Sequence, residues 1–302
     1  MSIDKTQYGS YLDPSVISKL ASLELKARNV VEGFMVGLHK SPYHGFSVEF
    51  SEHRPYMQGD QLKDIDWKVL AKSDRYYIKQ YEEETNLIAH IFLDVSKSME
   101  FKHSGKITKL EYAKILSASL AYLLIQQQDS VGIGLFSDRL ETYLPPRSTR
   151  IYLKNILKEI NNVSASSKTN TAECLNSVSE KIKRRGMVIL ISDFFDDIDK
   201  VLSALKKLHY KKNDVILFQI LDPIEESFAF EKNGVFIDLE TGEEMTTQPH
   251  QIQTSYKNAF EEYLHKLKRE CLSFGIEYNL INTNEQFDTA LLSFIKRRAK
   301  LI

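Results

Sequence analysis

The feature that most constrains the fold is a regular alternation of apolar runs and amphipathic stretches after residue 84. Five apolar runs have the length of buried strands: Leu87–Leu93, Val131–Phe136, Met187–Ile191, Val215–Leu221 and Tyr278–Ile281. Between several of them, apolar residues recur every three or four positions, which is typical of helices. Continuous apolar strands that alternate with helices indicate a mostly parallel sheet covered on both faces. We therefore predict an α/β fold of this kind.

Two further segments add β-structure to this plan. Thr142–Leu144 follows the second apolar run closely enough to form an antiparallel hairpin at one edge of the sheet. Turn signals at Asn233-Gly234 and Thr241-Gly242 predict a β-meander near residues 227–247, inserted before the last helices.

The first 84 residues have a different residue pattern. Apolar positions between Pro14 and Val36 predict an amphipathic helix, and a stretch dense in aromatic, β-branched and charged residues follows from His44 to Glu84. We predict two parts: residues 1–84 form an N-terminal helix plus a small β-rich module, and residues 85–302 form the α/β domain.

Composition narrows the function classes. Forty basic residues against 41 acidic ones give a formal charge of −1, which argues against general electrostatic binding to nucleic acid or anionic membranes. Two cysteines, Cys174 and Cys271, are too few for a disulfide framework or a cysteine zinc site. The chain starts without an apolar leader, and no stretch approaches 18 uninterrupted apolar residues. We expect a cytoplasmic protein without nucleic-acid binding or stable membrane insertion.

Oxygen-bearing side chains follow two of the predicted strands. Asp94 ends the first strand, Ser96 and Ser98 come at alternate positions after it, and Asp193 follows a later strand. Thr169 precedes a predicted helix between them. Ligands of open α/β sheets bind at the carboxyl ends of the strands. An all-oxygen set there suits a hard cation, so we predict a Mg²⁺ site that would also accept Mn²⁺ or Ca²⁺.

Other interpretations of these residues stay open. Asp and Ser after a strand can simply cap the next helix. A strand-end Asp can also be the nucleophile of a haloacid-dehalogenase-type phosphatase, but such enzymes have a second Asp where this chain has Ser96. A metal-dependent hydrolase, with Asp138, Asp196 or Asp197 as general base, is the alternative function.

A dense motif in the N-terminal part is the second candidate site. It places Arg54, Asp60, Asp64, Asp66 and Trp67 within 14 positions. Acids and an arginine so close to aromatic residues predict a network of ion pairs and hydrogen bonds. Such a network would serve as a structural clasp between the two parts of the chain, or as a docking surface for a partner.

The spacing of Asp94, Ser96 and Ser98, followed in chain order by Thr169 and Asp193, resembles the metal-ion-dependent adhesion site of the von Willebrand factor A fold. The threonine of that site usually follows a glycine, whereas Thr169 follows Lys168. Thr171 is therefore an alternative candidate for the threonine ligand. Lys97 and Lys168 would repel a cation, and a scaffold with a vacant metal site is a further alternative.

A longer pattern, F-S-x-x-R-P-Y-x-x-G-D-x-x-x-x-I-D-W over residues 50–67, strongly resembles the DUF58 family of bacterial proteins. The resemblance continues through Ser192-Asp193-Phe194, Leu221-Asp222-Pro223 and the turn at Glu240–Glu243, and covers residues 10–300. It implies a von Willebrand A-like domain that acts with a MoxR-type AAA+ ATPase in chaperone-like complex maturation, on a protein client that the sequence does not name. We expect a non-enzymatic protein whose bound cation accepts a carboxylate from its partner.

Overall fold

The computed structural model describes residues 12–39, 54–55, 76–78, 87–165, 171–230, 234–239 and 242–299. The chain divides into two compact units, one of residues 38–86 and one that joins residues 1–37 to residues 87–302. In the smaller unit, the described residues include a pair of two-residue antiparallel strands, in which Arg54 lies opposite Ile78.

The elements are numbered here in chain order. The strands are β1 (Arg54–Pro55), β2 (Tyr77–Ile78), β3 (Ile88–Asp94), β4 (Ser130–Phe136), β5 (Leu140–Arg147), β6 (Met187–Ser192), β7 (Asp214–Leu221), β8 (Gly234–Ile237), β9 (Glu244–Thr247) and β10 (Glu277–Asn282). The helices are α1 (Pro14–Ile17), α2 (Leu23–His39), α3 (Lys109–Gln126), α4 (Arg150–Asn162), α5 (Thr171–Lys181), α6 (Ile198–Tyr210), α7 (Pro223–Ser227), α8 (Pro249–Ser273) and α9 (Phe287–Arg298).

The central sheet of the larger unit has six strands in the order β10-β7-β6-β3-β4-β5. All neighbouring pairs are parallel except β4 with β5, which forms the predicted antiparallel hairpin at one edge. After β3 the chain adds strands on one side, and from β6 onward it adds them on the other. The strand order therefore reverses between β3 and β6.

Helices cover both faces of this sheet. Successive residues of a strand point to opposite sides, so each face of the sheet presents its own set of apolar side chains to the helices. One face packs α5, α6 and α8 against alternate strand residues such as Phe92, Leu190 and Leu217. Helix α3 packs against β3 and β4 and is buried along nearly all of its length. Among the described residues, no helix combines the length and the apolarity that a membrane span requires.

The N-terminal helix differs from its prediction, because the structure has two helices between Pro14 and His39 instead of one. Ser22 explains the interruption, since its hydroxyl accepts the Leu25 N–H at 3.2 Å and caps the start of α2. Up to residue 37, α2 belongs to the larger unit, where Lys26 pairs with Glu111 at 3.1 Å. Between residues 227 and 247 the described residues form the hairpin β8–β9.

Candidate functional site

The candidate site lies at the carboxyl ends of β3 and β6, where the strand order reverses. In open α/β sheets, this position leaves a crevice between the loops that follow the two strands. β3 ends at Asp94 and β6 at Ser192, and the parallel register sets Leu93 beside Ile191. The loops that begin after Asp94 and Ser192 therefore start side by side at one edge of the sheet.

The loop after β3 brings together three of the predicted ligands. The Ser96 N–H donates to Asp94 Oδ1 at 2.8 Å, and the hydroxyl oxygens of Ser96 and Ser98 lie 3.1 Å apart. The Val95 N–H donates to the Phe136 carbonyl at the end of β4 at 2.7 Å, which fixes the loop to the sheet. The local hydrogen bonds thus point one carboxylate and two hydroxyls toward the same small region.

Asp94 lies in surroundings that disfavour an uncompensated negative charge. It is fully buried, and the Ser192 hydroxyl donates to its Oδ2 at 2.5 Å. Burial, together with the negative charge of Asp193, raises the pKa of Asp94 to about 7. A proton or a cation would relieve this situation, and oxygen donors of this kind match what Mg²⁺ prefers. The residues present therefore fit a hard cation.

Asp193, the second predicted carboxylate, forms a buried ion pair with a lysine. Lys109 Nζ lies 2.8 Å from Asp193 Oδ2 and 2.6 Å from Glu225 Oε1. The ammonium also faces the rings of Phe195 and Phe101, at 5.0 and 5.7 Å from their centroids. A lysine, two carboxylates and two aromatic rings therefore form one cluster beside the candidate cation site.

Lys109 and Glu225 are site residues that the sequence analysis missed. Burial acts to lower the pKa of Lys109, but the charges of Asp193 and Glu225 outweigh this effect and raise it, so the side chain stays an ammonium. No local pattern indicated Lys109, because α3 also contains Glu111 and Lys114, so a charged residue at its start is not unusual.

The backbone of Asp193 is held by an unusual turn and by neighbouring strands. Phe194 has a φ of 56°, in the left-handed region that residues other than glycine rarely adopt, and its N–H donates to the Ser192 hydroxyl at 2.9 Å. The Gln219 amide donates to the Asp193 carbonyl at 2.8 Å, and the Tyr278 hydroxyl donates to Gln219 at 2.6 Å. Residues from β6, β7 and β10 thus position Asp193.

Asp222 fixes the segment that joins the β3 loop to α3. Its carboxylate accepts the N–H groups of His103, Ser104 and Gly105 at 2.9, 3.0 and 2.8 Å. Burial acts to raise the pKa of Asp222, but these donors outweigh it and lower the pKa. Glu225 Oε2 accepts the Asp222 N–H at 2.7 Å, so the glutamate that pairs with Lys109 also caps α7.

The remaining predicted residues lie mostly outside the described part of the chain. Arg54 is described as backbone of β1 only. Residues outside the described ranges are Asp60, Asp64, Asp66, Trp67 and Thr169. In the part of the chain that the structure describes, no three His, Cys, Asp or Glu side chains are grouped to hold a metal. The predicted set has two carboxylates, and its other members are hydroxyls.

The acids considered as general bases of a hydrolase are engaged in local hydrogen bonds. Asp138 accepts a hydrogen bond from the Ser137 hydroxyl at 3.1 Å, and Asp196 accepts the Asp197 N–H at 2.6 Å. Asp197 caps α6 by accepting two N–H groups of its first turn, at 3.0 and 3.3 Å. Asp196 also accepts the Ala172 N–H at 3.4 Å, which joins it to the first turn of α5.

Sequence comparison relates this chain to other proteins over most of its length. A family model described as "Protein of unknown function DUF58" matches residues 52–268. Uncharacterized proteins of Mycobacterium tuberculosis and Mycobacterium bovis are 25% identical to it over 239 residues, which is 78% of this chain and 74% of each relative.

Solved structures resemble about 70% of the chain in fold. BatB from Bacteroides thetaiotaomicron matches with a TM-score of 0.50 and 20% identity, over 71% of this chain and 99% of BatB. The VWA domain of SpRpn10 matches with a TM-score of 0.43 and 11% identity, over 69% of this chain and 94% of that domain. The prediction of a mostly parallel, von Willebrand A-like sheet flanked by helices is confirmed.

Proposed function

Because this chain belongs to the DUF58 family and has a von Willebrand A-like fold, we propose that it is a non-enzymatic protein that binds its partner through a divalent cation. Asp94, Ser96 and Ser98 would hold the cation, with Thr169 and Asp193 as further ligands, directly or through water. Mg²⁺ is the cation that such an oxygen set favours, and Mn²⁺ or Ca²⁺ would also suit it.

The observation that carries this proposal is the convergence of Asp94 with two hydroxyls at the reversal of the strand order. Asp94 is fully buried, yet its neighbours Ser96 and Ser98 supply oxygen atoms and no positive charge. A buried carboxylate in such a place needs a counter-charge to stay ionised. A cation supplied from solvent would meet that need and would leave coordination positions filled by exchangeable water.

An exchangeable position gives the cation its role in binding. A carboxylate from a partner can replace water on Mg²⁺, so the ion bridges two proteins. We propose a MoxR-type AAA+ ATPase as one partner, in the cytoplasm, with a protein client as the substrate of the joint system. The resemblance of the sequence to DUF58 supports this choice of partner.

The non-enzymatic character is part of the same proposal. Hydrolysis at a metal requires a general base or acid near the bound water. Asp138, Asp196 and Asp197, the acids considered for that role, each accept local hydrogen bonds, and Asp197 caps α6. The structural role of Asp197 as a helix cap is the observation that favours a binding site over a hydrolytic one.

Binding to the MoxR-type ATPase of the same organism tests the proposal. We expect the immobilised chain to bind the ATPase in Mg²⁺ and to lose about tenfold or more of its affinity in EDTA. Asp94→Asn should bind as weakly in Mg²⁺ as the wild type does in EDTA, because the amide keeps the shape but not the charge.

The matched control is Asp288→Asn, which removes one carboxylate from the start of α9 and should bind like the wild type. Circular dichroism of each variant checks that the fold is intact. Equal binding by wild type and Asp94→Asn, unaffected by EDTA, would contradict the bridging cation. Failure of all variants to bind the ATPase would contradict the choice of partner.

A further inference from the structure

Lys109 is a buried charge that the proposed function leaves without a role. Its side chain is 1% exposed, and it is the first residue of α3. The amino end of a helix carries partial positive charge, so a cation is disfavoured there, and burial adds to the cost. A residue kept against both effects is expected to serve the neighbouring site.

The groups around Lys109 include a predicted cation ligand. Asp193 Oδ2 accepts a hydrogen bond from Lys109 Nζ at 2.8 Å, and Asp193 Oδ1 accepts the Phe195 N–H at 3.3 Å. Both oxygens of this carboxylate are therefore engaged within the protein. Glu225 binds the same ammonium at 2.6 Å, and the rings of Phe101 and Phe195 flank it.

We propose that Lys109 competes with the divalent cation for Asp193 and so keeps the cation affinity of the free protein low. This inference rests on the proposed function, whose cation site includes Asp193. A cation that recruits Asp193 has to weaken the ion pair with Lys109, and the ammonium repels it at short range in a poorly screened environment. A carboxylate from a partner adds negative charge at the site and so favours the bound cation over the Lys109–Asp193 ion pair. Cation and partner therefore bind together.

Calorimetric titration of Mg²⁺ into metal-stripped protein tests the inference. We expect Lys109→Met to bind Mg²⁺ about tenfold or more tightly than the wild type, because Asp193 is released and a repelling charge is removed. Saturating Mg²⁺ should also raise the melting temperature of Lys109→Met more than that of the wild type, since the ion replaces the lost counter-charge.

Two control variants separate competition for Asp193 from a general charge effect. Lys200→Met removes a charge whose side chain is 70% exposed, so its Mg²⁺ affinity should stay within about threefold of the wild type. Lys109→Arg keeps the charge and should keep the low affinity.

A third variant tests the inference even where Lys109→Met does not fold. Glu225→Gln leaves Lys109 with Asp193 as its carboxylate partner in the cluster, so the ammonium holds Asp193 more strongly. Mg²⁺ should therefore bind more weakly than to the wild type, by about threefold or more.

The outcomes distinguish this inference from the function on which it rests. Unchanged or weaker Mg²⁺ binding by Lys109→Met, or tighter binding by Glu225→Gln, would overturn the role of Lys109 and leave the cation site standing. Mg²⁺ binding neither by the wild type nor by a folded Lys109→Met would overturn the cation site itself. Mg²⁺ binding by Lys109→Met that is lost in the double variant Lys109→Met/Asp94→Asn would support both the role of Lys109 and the cation site.

Discussion

His90 shows how a buried polar residue of the central strand is accommodated. Its side chain lies in the middle of β3, and its Nδ1 is 3.1 Å from the Tyr143 hydroxyl. The imidazole stacks with the rings of Phe92 and Tyr143, with centroids 6.2 Å apart in both pairs. Burial lowers the pKa of His90 to about 4, so the folded protein keeps this ring neutral at neutral pH.

This depressed pKa predicts a specific pH dependence. Between about pH 6.5 and pH 4 the unfolded chain binds a proton at His90 and the folded protein does not, so the unfolding free energy falls as the pH falls. The contribution is at most about 3 kcal/mol across that range. Urea unfolding of the wild type and His90→Gln at several pH values measures it. A difference between the two proteins that does not change with pH would contradict the assignment.

Part of the site could be predicted from sequence and part could not. Asp94, Ser96 and Ser98 were identifiable because their spacing follows directly from a strand end, which is local information. Lys109 was not, because its burial depends on Asp193 and Glu225, which lie 84 and 116 positions further along the chain. From sequence alone, a lysine at the first position of a helix is expected to be exposed.

At the scale of elements, Asp222 joins the end of β7 to the segment before α3. Its carboxylate accepts three N–H groups from residues 103–105, and a Cβ at Gly105 would lie 2.8 Å from Asp222 Oδ2 and 2.3 Å from Thr283 Oγ1. This close approach explains the glycine. The Asp222-Pro223 pair that suggested the family therefore has a structural role, which is to order the segment between the β3 loop and Lys109.

We expect Asp222→Asn to loosen this segment. An amide offers one acceptor oxygen, so at least one of the N–H groups loses its partner, at a cost of about 2 kcal/mol in unfolding free energy. Hydrogen exchange measured by mass spectrometry should accelerate over residues 103–105. The comparison variant is Asp197→Asn, which alters the exposed cap of α6 and should leave exchange in that segment unchanged. Unchanged exchange in Asp222→Asn would contradict the structural role.

The boundaries of an element could be predicted from the sequence where burial of apolar residues alone determines them. The apolar run Met187–Ile191 became β6 with one more residue, because a strand buried on both faces is apolar throughout. The single helix expected between Pro14 and Val36 was wrong, because the cap by Ser22 interrupts it. A hydroxyl cap of this kind competes with apolar periodicity and is difficult to weigh in advance.

At the scale of the whole molecule, the fold explains where a site can lie but not what it does. A von Willebrand A-like sheet reverses its strand order between β3 and β6, which places the β3 loop in the crevice where ligands bind. Unrelated functions share such folds, so function has to be argued from the side chains at that edge. Here those side chains are a buried acid, two hydroxyls and a carboxylate paired with a lysine.

Calorimetric titration decides whether Asp94 and the two serines hold a divalent cation. Mg²⁺ and Mn²⁺ would be titrated into concentrated, metal-stripped protein, with wild type, Asp94→Asn and Asp197→Asn side by side. We expect binding near one equivalent in the wild type and in Asp197→Asn, and loss of that binding in Asp94→Asn. Equal binding by wild type and Asp94→Asn, or no binding by either the wild type or a folded Lys109→Met, would contradict a cation held by Asp94 and the two serines.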